Sequence, residues 1–163
     1  MSAVRSMTGT TTPSMELPEG ASQTFKAGAL CVFASGYVAE CGADPALITG
    51  LATRDGRNGT AGLYRQNFIL AHPSTLFKGY LDTSASEGAG TNAATDRGLS
   101  YGVAKNAATG KWYVDKTETS NKRVTIWDFW DQVVDGIAPA VADVMPPVLF
   151  TIAAPYCNWT AVT

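Results

Sequence analysis

From Thr24 onward the chain is cut into short runs rich in branched and aromatic residues, each ended by turn formers, and this punctuation limits the fold more than any other feature. The runs cover residues 23–26, 30–34, 37–41, 48–53, 63–71, 75–81, 99–105, 111–115, 123–130 and 148–153. Eight or nine strands among these ten runs, at the ~8–12 residue spacing of sandwiches and barrels, predict an all-β protein, a small β-barrel or sandwich-like domain. Ser35-Gly36, between two runs, is the two-residue connection of a tight hairpin and sets Val32 across from Ala39 and Cys31 across from Glu40. His72-Pro73-Ser74 marks a corner, because proline cannot donate to a ladder. Segments 29–52 and 100–126 each read as a hairpin plus a strand, yet share too few residues to define a repeat.

The flanks differ. Residues 1–22 carry Gly9, Pro13, Pro18 and Gly20 without a sustained period, and are expected to form an extended N-terminal arm beside a β domain over 23–154. Val4, Met7, Met15 and Leu17 are its spaced apolar anchors. Residues 83–98, poor in large apolar side chains, read as a mobile surface loop. Residues 133–144 offer a short helix interrupted by Pro139, and a Pro-rich C-terminal segment leads to a tail, 155–163, with Tyr156 and Trp159.

With 163 residues and 17.1 kDa the chain is long enough for one core. Hydrophobic residues make up 45% and charged ones 16%, which leaves a surface sparse in charge and favours an oligomer or assembly. The 12 basic and 14 acidic residues show no cationic cluster that would neutralise phosphates, so nucleic-acid binding is not expected. The N-terminus lacks the apolar core of a secretory signal, and the most apolar stretch, 144–154, is broken by Pro146-Pro147 and too short to span a bilayer. Three cysteines, Cys31, Cys41 and Cys157, leave at least one unpaired and suit a reducing cytosol.

Catalytic constellations are hard to build. His72 is the single histidine, so any Ser-His-Asp or Cys-His arrangement rests on it, and its place before Pro73 suits a satisfied corner side chain. No Cys-x-x-Cys or His-Glu-x-x-His spacing supplies a metal shell, and no cofactor is implied. Asp115, Glu118, Asp128, Asp131, Asp135 and Asp143 read as a solvated face rather than an acid–base pair. Asp55-Gly56-Arg57-Asn58-Gly59 lacks both the Lys-Ser/Thr of a phosphate loop and the closing glutamate of a calcium loop, and reads as a turn. Trp127, Phe129 and Trp130 are the strongest local signal: on a regular strand Trp127 and Phe129 share one face and Trp130 takes the other, so one apolar face needs a cover from a neighbouring subunit.

Phe25-Lys26-Ala27-Gly28-Ala29-Leu30, Val38-Ala39-Glu40-Cys41-Gly42-Ala43-Asp44-Pro45 and Ile48-Thr49-Gly50-Leu51-Ala52 resemble the head of small capsid decoration (cement) proteins of tailed bacteriophages. Asp96-Arg97-Gly98-Leu99-Ser100-Tyr101-Gly102-Val103-Ala104-Lys105 and Thr109-Gly110-Lys111-Trp112-Tyr113-Val114-Asp115 are similar to the second half of the same proteins. The resemblance implies a β-barrel-like module without catalytic residues, a structural protein of the virion, made in the host cytoplasm. Its partner would be the major capsid protein, bound on the outer surface of the icosahedral head, often as a homotrimer at local three-fold positions. Candidate contact residues are Val4, Met7, Met15, Leu17, Trp127, Phe129, Trp130, Tyr156 and Trp159. A carbohydrate- or receptor-binding β-module of a phage tail or fibre is the alternative, with the exposed aromatics as its contact surface.

Overall fold

A computed structural model describes residues 2–6, 14–83, 94–129 and 147–157. It is all-β: β1 Ser2–Ser6, β2 Ser14–Pro18, β3 Leu30–Ala34, β4 Tyr37–Glu40, β5 Gly50–Ala52, β6 Arg65–Leu70, β7 Thr75–Asp82, β8 Ser100–Lys105, β9 Trp112–Asp115, β10 Val124–Phe129 and β11 Pro147–Ile152. One sheet runs β2-β6-β5-β3-β4 and the other β1-β7-β11-β10-β8-β9, with β9 returning to β7. That return pairs Leu81 with Val114 in parallel and closes five strands into a barrel. The edges of the first sheet meet where Glu19 bridges Val38 in parallel.

The two units repeat one topology. Reading β2–β6 against β7–β11, the strand orders β2-β6-β5-β3-β4 and β7-β11-β10-β8-β9 are identical. The correspondence extends to single bonds. Gly28 N–H donates to Ala52 O at 2.7 Å and Gly98 N–H to Ile126 O at 2.8 Å; Ala52 N–H returns to Ala29 O and Ile126 N–H to Leu99 O. Phe68 pairs with Ala52, and Phe150 with Ile126. At the corners Thr75 N–H closes on His72 O and Cys157 N–H on Ala154 O, around Pro73 and Pro155 respectively. The two hairpin-plus-strand segments thus share a backbone plan that their side chains conceal, because a pleated ladder constrains alternation and turn residues more than identity.

Strand chemistry explains the elements. The β3–β4 hairpin has the expected register, Val32 opposite Ala39 and Cys31 opposite Glu40. Ser35 (φ 53°) and Gly36 (φ 84°) are both left-handed, as the twist-matched two-residue turn requires. Pro147 opens β11, a place that tolerates a missing N–H. Phe68, Phe77, Phe129 and Phe150 are fully buried within one cluster that spans both units, and Phe77 stacks on Phe150 with centroids 5.8 Å apart.

Three expectations change. Residues 23–26 are an irregular segment rather than a strand: Ser22 (φ 56°) and Gly28 (φ 85°) bend the chain on either side, and Asp55 takes the Ala27 N–H. Its backbone instead accepts from Gly56 at Phe25 O and from Asn58 at Gln23 O, so residues 55–59 lie along it rather than forming an isolated turn. In the N-terminal segment Ser2–Ser6 and Ser14–Pro18 are extended, but their hydrogen-bond partners lie in the same chain, β1 on β7 and β2 on β6. Third, Trp127 and Phe129 do not share a face, for a reason given below. The helix expected over 133–144 and most of the loop expected over 83–98 lie outside the described residues; residues 94–96 of that loop form a 3-10 turn.

Candidate functional site

β10 is irregular where the aromatics begin. Ile126 pairs with Phe150 and Asp128 with Leu149, so Trp127 is an extra residue in the ladder. Such a bulge resets the alternation. Trp127 is left 49% exposed with its indole N–H on Thr151 Oγ1 at 3.0 Å, while Phe129 turns inward to 2% exposure. The Arg97 guanidinium lies 5.2 Å from the Phe129 ring centroid and pairs with Asp128 at 2.8 Å, closing that end of the strand.

The other candidate contact residues that are described have neighbours of their own. Val4 is itself the unpaired residue of a register shift in β1. Met15 pairs with Phe68 and is half-buried, and Leu17 packs on the core of the first unit. Tyr156 is half-buried, its ring 4.2 Å from the Arg123 guanidinium. Met7, Trp130 and Trp159 lie outside the described residues.

A cleft of about 430 Å³ opens where the two units meet, lined by Cys41, Asp44, Lys105, Trp112, Asp115 and Glu118 among others. Glu40, at the end of β4, holds the units together there: its Oε1 accepts the Trp112 indole N–H at 2.9 Å and its Oε2 the Lys105 ammonium at 2.8 Å. Arg123, almost buried, reaches Asp44 at 3.4 Å from the second unit, and Ile48 bridges Cys157.

The carboxylates around the cleft are occupied by the backbone. Glu118 Oε1 accepts from the Ser120 and Asn121 N–H groups, and Asp115 Oδ1 accepts from the Thr117 N–H and hydroxyl. Burial first, then the hydrogen bond to Asp96, drives the Tyr101 hydroxyl well above its ordinary range, so it stays a donor. His72 Nδ1 accepts from the Ser74 N–H at 3.1 Å within its corner, and the matching corner of the second unit has Ala154 in its place. Among the described residues no group of three or more His, Cys, Asp or Glu side chains is arranged to hold a metal ion, and no helix is long and apolar enough to cross a membrane.

Compared with known proteins, the chain matches no family model, no curated protein and no solved structure. Sequence reading found Trp127 but missed Glu40 and Glu19. Glu40 meets Trp112 across 72 positions of chain, and no local pattern announces such a pair. Glu19 is 2% exposed; it follows β2 and bonds Tyr64 through its N–H, Gly62 through its carbonyl and the Arg57 N–H through its carboxylate.

Proposed function

We propose that this chain is a capsid decoration, or cement, protein that binds the outer surface of an assembled icosahedral phage head and stabilises it without catalysis. The observation that carries the reading is Trp127, a large aromatic side chain 49% exposed yet fixed in place by Thr151 on the outside of β10. An immobilised, exposed aromatic is the kind of anchor that interfaces concentrate at their centres. The sequence resemblance over parts of residues 24–130 supports the same reading, as do the all-β fold and the low share of charge.

The energetics fit. A protein that binds only the closed lattice of the major capsid protein stabilises that lattice by mass action, and this needs contact area rather than reactive groups. Assembly as a homotrimer would multiply weak single contacts through avidity. The test is to add the purified chain to undecorated shells and measure occupancy and the temperature at which shells rupture. Saturable binding that raises this temperature supports the reading; absence of binding at micromolar concentration overturns it.

A further inference from the structure

The two units differ at one edge. β7 has β11 along one side; on the other, β1 covers Thr75 to Lys78 and β9 covers Leu81 and Asp82. β2, its counterpart, has β6 on one side. On the other, the Glu19–Val38 bridge stands where Leu81–Val114 stands in the second unit. Among the described residues nothing occupies the place of β1 beside Ser14 and Glu16.

The phase of the ladder shows which groups that edge presents. Glu19 N–H donates to Tyr64 O at 2.8 Å, so Glu19 falls on the phase whose main-chain groups face the β6 side. Bonded pairs alternate along an antiparallel ladder, hence Leu17 and Met15 bond to β6 while Pro18, Glu16 and Ser14 turn their main-chain groups outward. Pro18, which has no N–H, falls on the outward phase, where edge prolines are tolerated. Ser14 and Glu16 are exposed, whereas the counterpart of Ser14, Leu76, is 5% exposed beneath β1. Among the described residues the Glu16 carbonyl is held at 2.8 Å by the guanidinium of Arg65, a side chain 58% exposed.

We propose that the open edge of β2 takes a short extended segment of another polypeptide, antiparallel to β2, just as β7 takes β1. The guest is four or five residues long, because Pro18 ends the run of donors. It is recognised through its main chain rather than its charge, because the Glu16 carboxylate is already paired with the Arg54 and Arg65 guanidiniums. On binding, its N–H replaces the Arg65 guanidinium at Glu16 O and its carbonyl receives the Glu16 N–H. This docking follows from the repeated topology and stands apart from the capsid reading.

The probe is the peptide MSAVRSMT, residues 1–8 of this chain, whose strand already fills the equivalent edge. Titrated at millimolar concentration into the labelled full-length protein, it is expected to shift the amide resonances of Ser14 and Glu16 and slow their hydrogen exchange. A peptide N-methylated at alternate residues should not. Glu16→Pro removes the outward donor without touching a main-chain bond to β6, and should weaken binding at least about tenfold relative to Glu16→Ala, which loses the same ion pairs to Arg54 and Arg65 but keeps the N–H and keeps binding. Shifts confined to β7, no shifts, or equal binding by Glu16→Pro would overturn the proposal. A dimer of the unliganded protein that Glu16→Pro abolishes would make a second β2 edge the occupant and overturn the guest assigned here.

Discussion

Glu40 accepts the indole N–H of Trp112 at 2.9 Å and so ties the hairpin of the first unit to the barrel of the second. Trp112 is 3% exposed, and loss of Glu40 takes away the acceptor of its indole N–H. Glu40→Ala should therefore lower stability by about 1–3 kcal/mol, the cost of a buried donor left without a partner. Glu40→Gln keeps a carbonyl at that position and should recover most of the loss. Urea unfolding of the three proteins checks this; equal midpoints for Ala and wild type would mean that the Glu40 contacts add nothing to the joint between the units.

The bulge in β10 separates two aromatic residues that a regular strand would place together. Phe129→Ala should cost about 3–5 kcal/mol because it empties a filled core site. Trp127→Ala should leave the unfolding transition within about 1 kcal/mol while lowering occupancy on capsid shells, if the proposed function holds. Similar destabilisation by both substitutions would contradict the exposed placement of Trp127.

Removing the N-terminal segment tests whether it belongs to the folded body. Deletion of residues 1–20 strips β1 from β7 and β2 from β6, removes Glu19 from its three loop contacts and bares two strand edges. Loss of a cooperative thermal transition, with aggregation visible by light scattering, is the expected result. A truncated chain that melts like the full-length one would restore the picture of a dispensable arm.

Alkaline pH should destabilise the protein through its thiols. Burial pushes Cys41 up to about 12 and Cys157 up to about 11, and raises Cys31 further, with added repulsion from Cys41 and Glu40. The unfolded chain releases these protons near the ordinary value of 9.0 while the native state retains them. The stabilisation is therefore complete below pH 9 and declines as pH climbs towards the folded values. Urea midpoints measured from pH 7 to 11 should fall above pH 9, and Cys41→Ala should flatten the decline. At pH 8 a thiol reagent should label none of the three free cysteines until denaturant is added.

Much of the fold is legible locally. Ser35-Gly36 allows essentially one turn, and that turn dictates the β3–β4 register residue by residue, because two left-handed residues match strand twist. Alternation in the other runs marks strands for the same local reason: one face must meet a core. The irregular course of residues 23–26 escapes such reading, since it depends on Asp55 capping Ala27 from 28 positions away.

By itself the sequence determined the strand runs from Leu30 onward, their main turns, the all-β class and Trp127 as an aromatic in need of explanation. Tertiary structure alone decided that β2–β6 and β7–β11 follow one plan, that the N-terminal strands pair within the chain, and that one extra residue in β10 sends Trp127 outward and Phe129 inward. Which edges meet is settled by long-range closure, where Glu19 finds Val38 and Leu81 finds Val114. A bulge is defined only against its partner strand, and a closing bridge only against the opposite edge, so neither leaves a period or a spacing in the chain to be read.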